Sequence, residues 1–156
     1  MHWLIDAGAI KTGGGVQIAL NRLPILTEKL IERGYKVTVL LPSVGLLSNL
    51  ALANAVNIIK SPNEWWSRLF LEYIKLPRRI RSEKINVVYT LFGFGIPHPK
   101  EALSIVNTGN ATTCYPDSAY WKRLNSKELI KRKIYTHLRQ TRLKKNDFYI
   151  FETEIM

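Results

Sequence analysis

The sequence predicts a doubly wound α/β domain built on a mostly parallel sheet. Short β-like runs alternate with helical patterns along the whole chain. Most of those runs are apolar throughout instead of alternating, as strands covered on both faces are. There is no internal repeat and no low-complexity tract, and 156 residues suit one domain.

The elements follow in order. Candidate strands are His2–Ile5, Lys36–Leu41, Val56–Ile59, Ile85–Thr90, Leu103–Asn107 and Phe148–Phe151. Val16, Ala19, Leu20, Leu23, Leu26 and Leu30 share one face of a first helix. Pro24 lies inside it, where a missing N–H predicts a kink. Trp65, Trp66, Leu69, Phe70, Tyr73 and Ile74 repeat at the spacing of a second helix, and Pro77 is placed to start a further short one. Gly34 suits the left-handed residue just past the first helix. The last strand is followed by Glu152 to Met156 only; a doubly wound domain normally adds a helix there, which predicts a chain cut after its first domain.

Composition narrows the partners. The chain is 46% hydrophobic and 22% charged, which fits a folded globule. Lys and Arg number 23 against 12 Asp and Glu, a formal charge of +11 that favours anionic partners. One cysteine, Cys114, excludes an internal disulfide and a cysteine-based zinc site. His2, His98 and His137 show no paired spacing, so no metal is expected. Asp6 interrupts the apolar start, which argues against a secretory leader. No run approaches the ~18 apolar residues of a membrane span. A reducing, cytoplasmic location is the expectation.

The most informative segment runs from Asp6 to Leu41. A strand is followed by Ala7-Gly8-Ala9-Ile10-Lys11-Thr12-Gly13-Gly14-Gly15 and then by the first helix. Three glycines at a helix start leave backbone N–H groups open to a phosphate or a sugar. No Gly-Lys-Ser or Gly-Lys-Thr follows, so this is no Walker A loop, and the Gly-x-Gly-x-x-Gly dinucleotide spacing is absent. A turn needed only for tight strand-to-helix packing is the competing reading.

Gly13-Gly14-Gly15-Val16-Gln17-Ile18-Ala19-Leu20 with Arg33-Gly34-Tyr35-Lys36-Val37-Thr38-Val39-Leu40 resembles the opening of the group 1 (family four) glycosyltransferases. Ile85-Asn86-Val87-Val88-Tyr89-Thr90 is similar to that family's fourth strand. Asp147 to Glu154 is similar to its strand ending in Ser-Glu or Thr-Glu. Tyr115-Pro116-Asp117-Ser118-Ala119-Tyr120-Trp121 resembles members from bacterial surface-polysaccharide pathways. The likeness covers almost the whole chain and rests on the order of loose motifs.

The resemblance implies a GT-B enzyme made of two Rossmann-like domains with a cleft between them. This chain would be the N-terminal, acceptor-side domain. A C-terminal domain would grip the nucleotide-sugar donor and be needed for turnover. It implies retaining transfer to a lipid-linked or cell-surface glycan, with no metal or other cofactor. The glycine segment of that family lies at the cleft, which points to Gly13, Gly14 and Gly15. Many members carry His or Asp at the cleft end of a middle strand. The matching stretch here, Ile105-Val106-Asn107-Thr108-Gly109-Asn110, offers amides, and the catalytic residue stays unassigned. Asn107 and Asn110 can hydrogen-bond a substrate hydroxyl or phosphate, or cap a turn. His98, between Pro97 and Pro99, is a further substrate-binding candidate, with an ordinary loop histidine as the alternative.

From Lys122 to Lys145 ten basic residues stand against Glu128 alone: Lys122, Arg123, Lys127, Lys131, Arg132, Lys133, Arg139, Arg142, Lys144 and Lys145. Ile130, Ile134 and Leu138 step by four, so one helix face can pack while the other displays charge. A basic amphipathic helix of this kind points to an anionic membrane surface and a peripheral place on the inner face of the cytoplasmic membrane. Trp65, Trp66, Phe70, Tyr120 and Trp121 fit interfacial anchors or buried aromatics equally. Nucleic acid is disfavoured, since no helix-turn-helix, zinc-finger or RNP pattern accompanies the charge. The rival to the transferase is a non-catalytic basic module binding anionic membrane or nucleic acid.

Overall fold

The computed structural model describes residues 1–108 and 125–151. It is an α/β fold on a six-stranded, all-parallel sheet in the order β3-β2-β1-β4-β5-β6. The strands are β1 (His2–Asp6), β2 (Lys36–Pro42), β3 (Val56–Ser61), β4 (Val87–Thr90), β5 (Leu103–Thr108) and β6 (Phe148–Phe151). The helices are α1 (Gly14–Glu32), α2 (Trp65–Phe70), α3 (Leu76–Ser82) and α4 (Ser126–Leu143). This is the Rossmann-like, doubly wound order, in which successive crossovers leave β1 in opposite directions.

Both sheet faces are covered near the centre. Ile5, Val37, Val39 and Leu41 meet Val16, Ala19, Leu23 and Leu30 of α1 on one face. Leu4, Leu40 and Val88 meet Leu71, Leu76 and Ile80 on the other. Each of the Val, Leu and Ile side chains among them contributes about 1.5–3 kcal/mol by leaving water, and Ala19 less. The edges differ: Ile58 of β3 and Phe148, Tyr149 and Ile150 of β6 are exposed. Continuous apolarity therefore marks membership of the sheet, not cover on both faces.

Helix α1 starts at Gly13, whose φ of 77° only glycine adopts freely, and no side chain caps it. It runs through Pro24 without interruption. It ends as the sequence predicts: Gly34 is left-handed, and its N–H donates to Ile31 O while that of Tyr35 donates to Leu30 O. Helix α4 starts on Asn125, whose side chain accepts the Glu128 N–H at 2.9 Å.

The second helical pattern folds differently from its periodicity. Between α2 and α3 lies a single π turn, Leu71–Lys75. Its wider winding rotates the buried face onto Leu71, Glu72, Leu76 and Ile80. Trp65, Trp66, Phe70, Tyr73 and Ile74, which repeat at helical spacing in the sequence, are exposed. Pro77 sits in the first turn of α3.

Candidate functional site

The carboxyl ends of β1, β4 and β5 open onto a cleft of about 680 Å³. It lies at the switch point between β1 and β4, where the chain leaves the sheet in opposite directions and loops splay apart. Asp6 ends β1 and Thr90 ends β4, and the two are register partners. Thr108 closes β5 and lines the same floor.

Asp6 is 5% exposed, and its Oδ1 accepts the Gly8 N–H at 2.9 Å. Burial lifts its carboxyl from the ordinary 3.8 to about 6. The Gly8 hydrogen bond opposes that rise, the Glu72 charge adds to it, and Arg68 and Arg142 oppose it. Gly8 has no room for a side chain: a Cβ there would sit 2.9 Å from Ser61 Cβ. The Thr90 hydroxyl is buried at the floor with no hydrogen-bond partner among the described residues.

The π turn and α4 build the cleft wall. Glu72 takes Arg68 Nε on one oxygen at 2.7 Å and Arg142 Nη1 on the other at 2.9 Å. Arg142 also donates to the Tyr73 hydroxyl from Nε and Nη2, and its guanidinium lies over the Tyr73 ring. Burial alone would lower the Arg142 pKa; the Tyr73 hydrogen bond and the Glu72 charge outweigh it and hold the group above its ordinary value. Arg139 stacks over Phe94 at 4.9 Å, and Lys145 completes the cationic rim.

Loop 92–95 forms the opposite lip. Asn146 holds it by donating to Phe94 O, while its Oδ1 accepts the Ser104 hydroxyl. Gly95 has φ 84°, and an added Cβ would collide with the Asn146 amide.

The residues singled out from the sequence fall in several places. Gly13 and Gly14 are exposed at the carboxyl edge with open space about them. Gly15 packs beside Ile10 and Phe92, and Phe92 lines the cleft, so the glycine segment borders the site. Asn107 is buried within β5, one residue short of the lining Thr108. His98 is half-buried, with Nδ1 3.0 Å from Ile96 O, and lies away from the lining. Asn110, Lys122 and Arg123 lie outside the described residues, as do the side chains of Lys127, Lys131 and Arg132 on α4. Lys133, Lys144 and Lys145 are exposed; Arg139, Arg142 and Lys145 reach the cleft. Ile130 and Ile134, expected to pack, are exposed.

Asp6, Arg68, Glu72 and Thr90 were not apparent as site residues. The available signal was positional: an acidic residue closing the first strand of a doubly wound sheet, directly before a glycine segment, stands at the switch point. Comparison with protein-family models, curated proteins and solved structures gives no match to this chain. Among the described residues no helix is long and apolar enough to cross a membrane. The arrangement can take a polar ligand whose hydroxyls reach the floor and whose negative charge stays at the rim.

Proposed function

We propose that this chain is the acceptor-side lobe of a retaining, GT-B-type sugar transferase that works on a lipid-linked or cell-surface glycan at an anionic membrane. The observation that carries the reading is the switch-point cleft, with a polar floor and a cationic rim, bordered by the glycine-initiated helix α1. The exposed N–H groups at the start of a 19-residue helix favour a phosphate or a sugar oxygen beside that cleft. A nucleotide-sugar-binding lobe would face this edge and supply the activated donor. The motifs at Gly13 to Leu20 and Arg33 to Leu40 support the family, and the all-parallel sheet in the order β3-β2-β1-β4-β5-β6 agrees with it.

The test is amide chemical-shift mapping of the labelled protein with anionic bicelles, bare or carrying a polyprenyl-diphosphate glycan. Glycan-dependent shifts are expected at Gly13, Gly14, Gly15 and loop 92–95. Shifts caused equally by bare bicelles would discard the transferase in favour of the non-catalytic membrane module.

A further inference from the structure

We propose that the β1–β4 switch point is a recognition site for a glycosyl phosphate, in which Asp6 and Thr90 hold a sugar hydroxyl at the floor and Arg139 and Lys145 take the phosphate at the rim. The inference rests on the sugar-transfer reading only for its choice of a sugar among polyols.

Four features lead to it. Asp6 and Thr90 are neighbours across the two strands that diverge at the switch point. Among the described residues Asp6 receives one hydrogen bond, at Oδ1, which leaves acceptor capacity on a carboxylate that lines the cleft. The Thr90 hydroxyl, 2% exposed, lacks a partner among the described residues. A buried hydroxyl left unmet is unfavourable unless a ligand or water completes it. A carboxylate beside a hydroxyl matches a sugar hydroxyl, which donates to one and accepts from the other.

The rim supplies the opposite preference. Arg68 and Arg142 are engaged by Glu72, so their charge is partly spent inside the wall. Arg139 and Lys145 are exposed and line the mouth. A ligand that is uncharged and hydroxyl-rich at one end and anionic at the other therefore enters with its charge outward. A free sugar would leave the rim unused, and inorganic phosphate would leave the floor unused.

Asp6 accepts from the ligand most strongly when ionised, because the protonated carboxyl keeps only a weaker, neutral acceptor. The charged groups that face it are Glu72 from the π turn, Arg68 from α2 and Arg142 from α4. Its carboxyl ionises near pH 6, so affinity gained through Asp6 grows between pH 5 and 7.5. A sugar phosphate loses its second proton in the same range. Comparison with Asp6→Asn at each pH cancels that contribution.

The experiment is titration of the full chain, followed by amide shifts and calorimetry. The probes are the 1-phosphates of glucose, galactose, mannose and N-acetylglucosamine, the four free sugars, and inorganic phosphate. At least one sugar 1-phosphate is expected to saturate cleft amides more tightly than its free sugar or phosphate. Thr90→Val and Asp6→Asn should each weaken it about tenfold at pH 7.5, and the Asp6→Asn effect should shrink below about twofold at pH 5. The double variant Arg139→Gln/Lys145→Gln should weaken sugar phosphate and phosphate alike. Melting curves confirm that each variant is folded. Failure of all four sugar phosphates to saturate overturns the proposal, as does binding indifferent to both Asp6 and Thr90.

A uridine-diphosphate sugar and a farnesyl-diphosphate sugar, run as separate arms, identify the source of the phosphate. A lipid-linked glycan that shifts Gly13, Gly14 and Gly15 but ignores Asp6→Asn and Thr90→Val would overturn this site and keep the transferase. Sugar phosphates that need Asp6 and Thr90, together with no glycan-dependent shift on bicelles, would do the reverse.

Discussion

Asp6 carries a cost that its position explains. It ends a central strand, and its burial outweighs the Gly8 N–H and the Arg68 and Arg142 charges that favour its carboxylate, while the Glu72 charge adds to the cost. Its carboxyl is held at about 6 in the folded chain, against 3.8 when unperturbed. The folded state therefore keeps this proton at pH values where the unfolded chain has released it. Stability falls as pH rises from about 4 to about 6 and then levels off, a loss of roughly 3 kcal/mol from this residue. Asp6→Asn keeps an acceptor for Gly8 and removes the titration. The variant should match the parent near pH 4 and exceed its stability at pH 7 by up to that amount, as read from urea unfolding across the range. A constant difference between the two proteins would show that Asp6 does not titrate there. Thr90 has the same character, a buried polar group whose need the described residues do not meet. Two buried polar groups side by side at the carboxyl ends of β1 and β4, one with spare acceptor capacity and one without a partner among the described residues, are the feature on which the proposed site rests.

At the scale of elements, the cleft wall depends on how α4 meets the π turn. Glu72 has only 6% of its side chain exposed and is shared by Arg68 and Arg142. Arg142→Ala removes one partner of a buried carboxylate and the donor to Tyr73. The Arg142 side chain is 30% exposed, so the loss should be about 1–3 kcal/mol, below that for a fully buried pair. Urea unfolding of Arg142→Ala, Glu72→Gln and the double variant should return a coupling near 1 kcal/mol; zero coupling would mean that α4 docks through other contacts. The strands were legible in the sequence because strands of this parallel sheet, the two edge strands included, leave largely apolar runs, and their expected bounds agree with the structure to within two residues. Gly34 was legible because a left-handed helix end favours glycine. The π turn was not: one extra residue per turn rotates the buried face without altering the apolar spacing that defines a helix. The site was half legible. The glycine segment is a local signal, whereas the Asp6–Thr90 pairing and the Glu72–Arg142 contact join residues 84 and 70 positions apart. Asn107 attracted notice as an amide near a strand end, and a shift of one position in a strand decides whether a side chain reaches the floor or the sheet interior.

The whole molecule places its charge and its unpacked apolar surface on neighbouring elements. Helix α4 and its C-cap residue carry exposed Lys133 and Lys144 together with Ile130 at 61% and Ile134 at 57% exposure. Across the Arg142–Tyr73 contact stands α2, with Trp66 at 74% exposure and Trp65 and Phe70 also open. Single exposed apolar residues need no account, but aromatic and branched side chains flanked by cations fit a bilayer interface, where rings sit at headgroup depth and lysines meet phosphates. Each basic residue near such a surface contributes about 1 kcal/mol, and screening sets in at a Debye length near 8 Å in physiological salt. The chain should therefore float with vesicles containing phosphatidylserine or phosphatidylglycerol and not with neutral phosphatidylcholine vesicles, and raising salt to 0.5 M should reduce the bound fraction several-fold. Trp66→Ser should weaken flotation without changing its salt dependence, whereas Lys133→Gln/Lys144→Gln should flatten that dependence. Equal binding to neutral vesicles would assign the surface to apolar contact alone. Tight binding to duplex DNA without flotation would instead make the charge of +11 a nucleic-acid feature and separate it from the cleft.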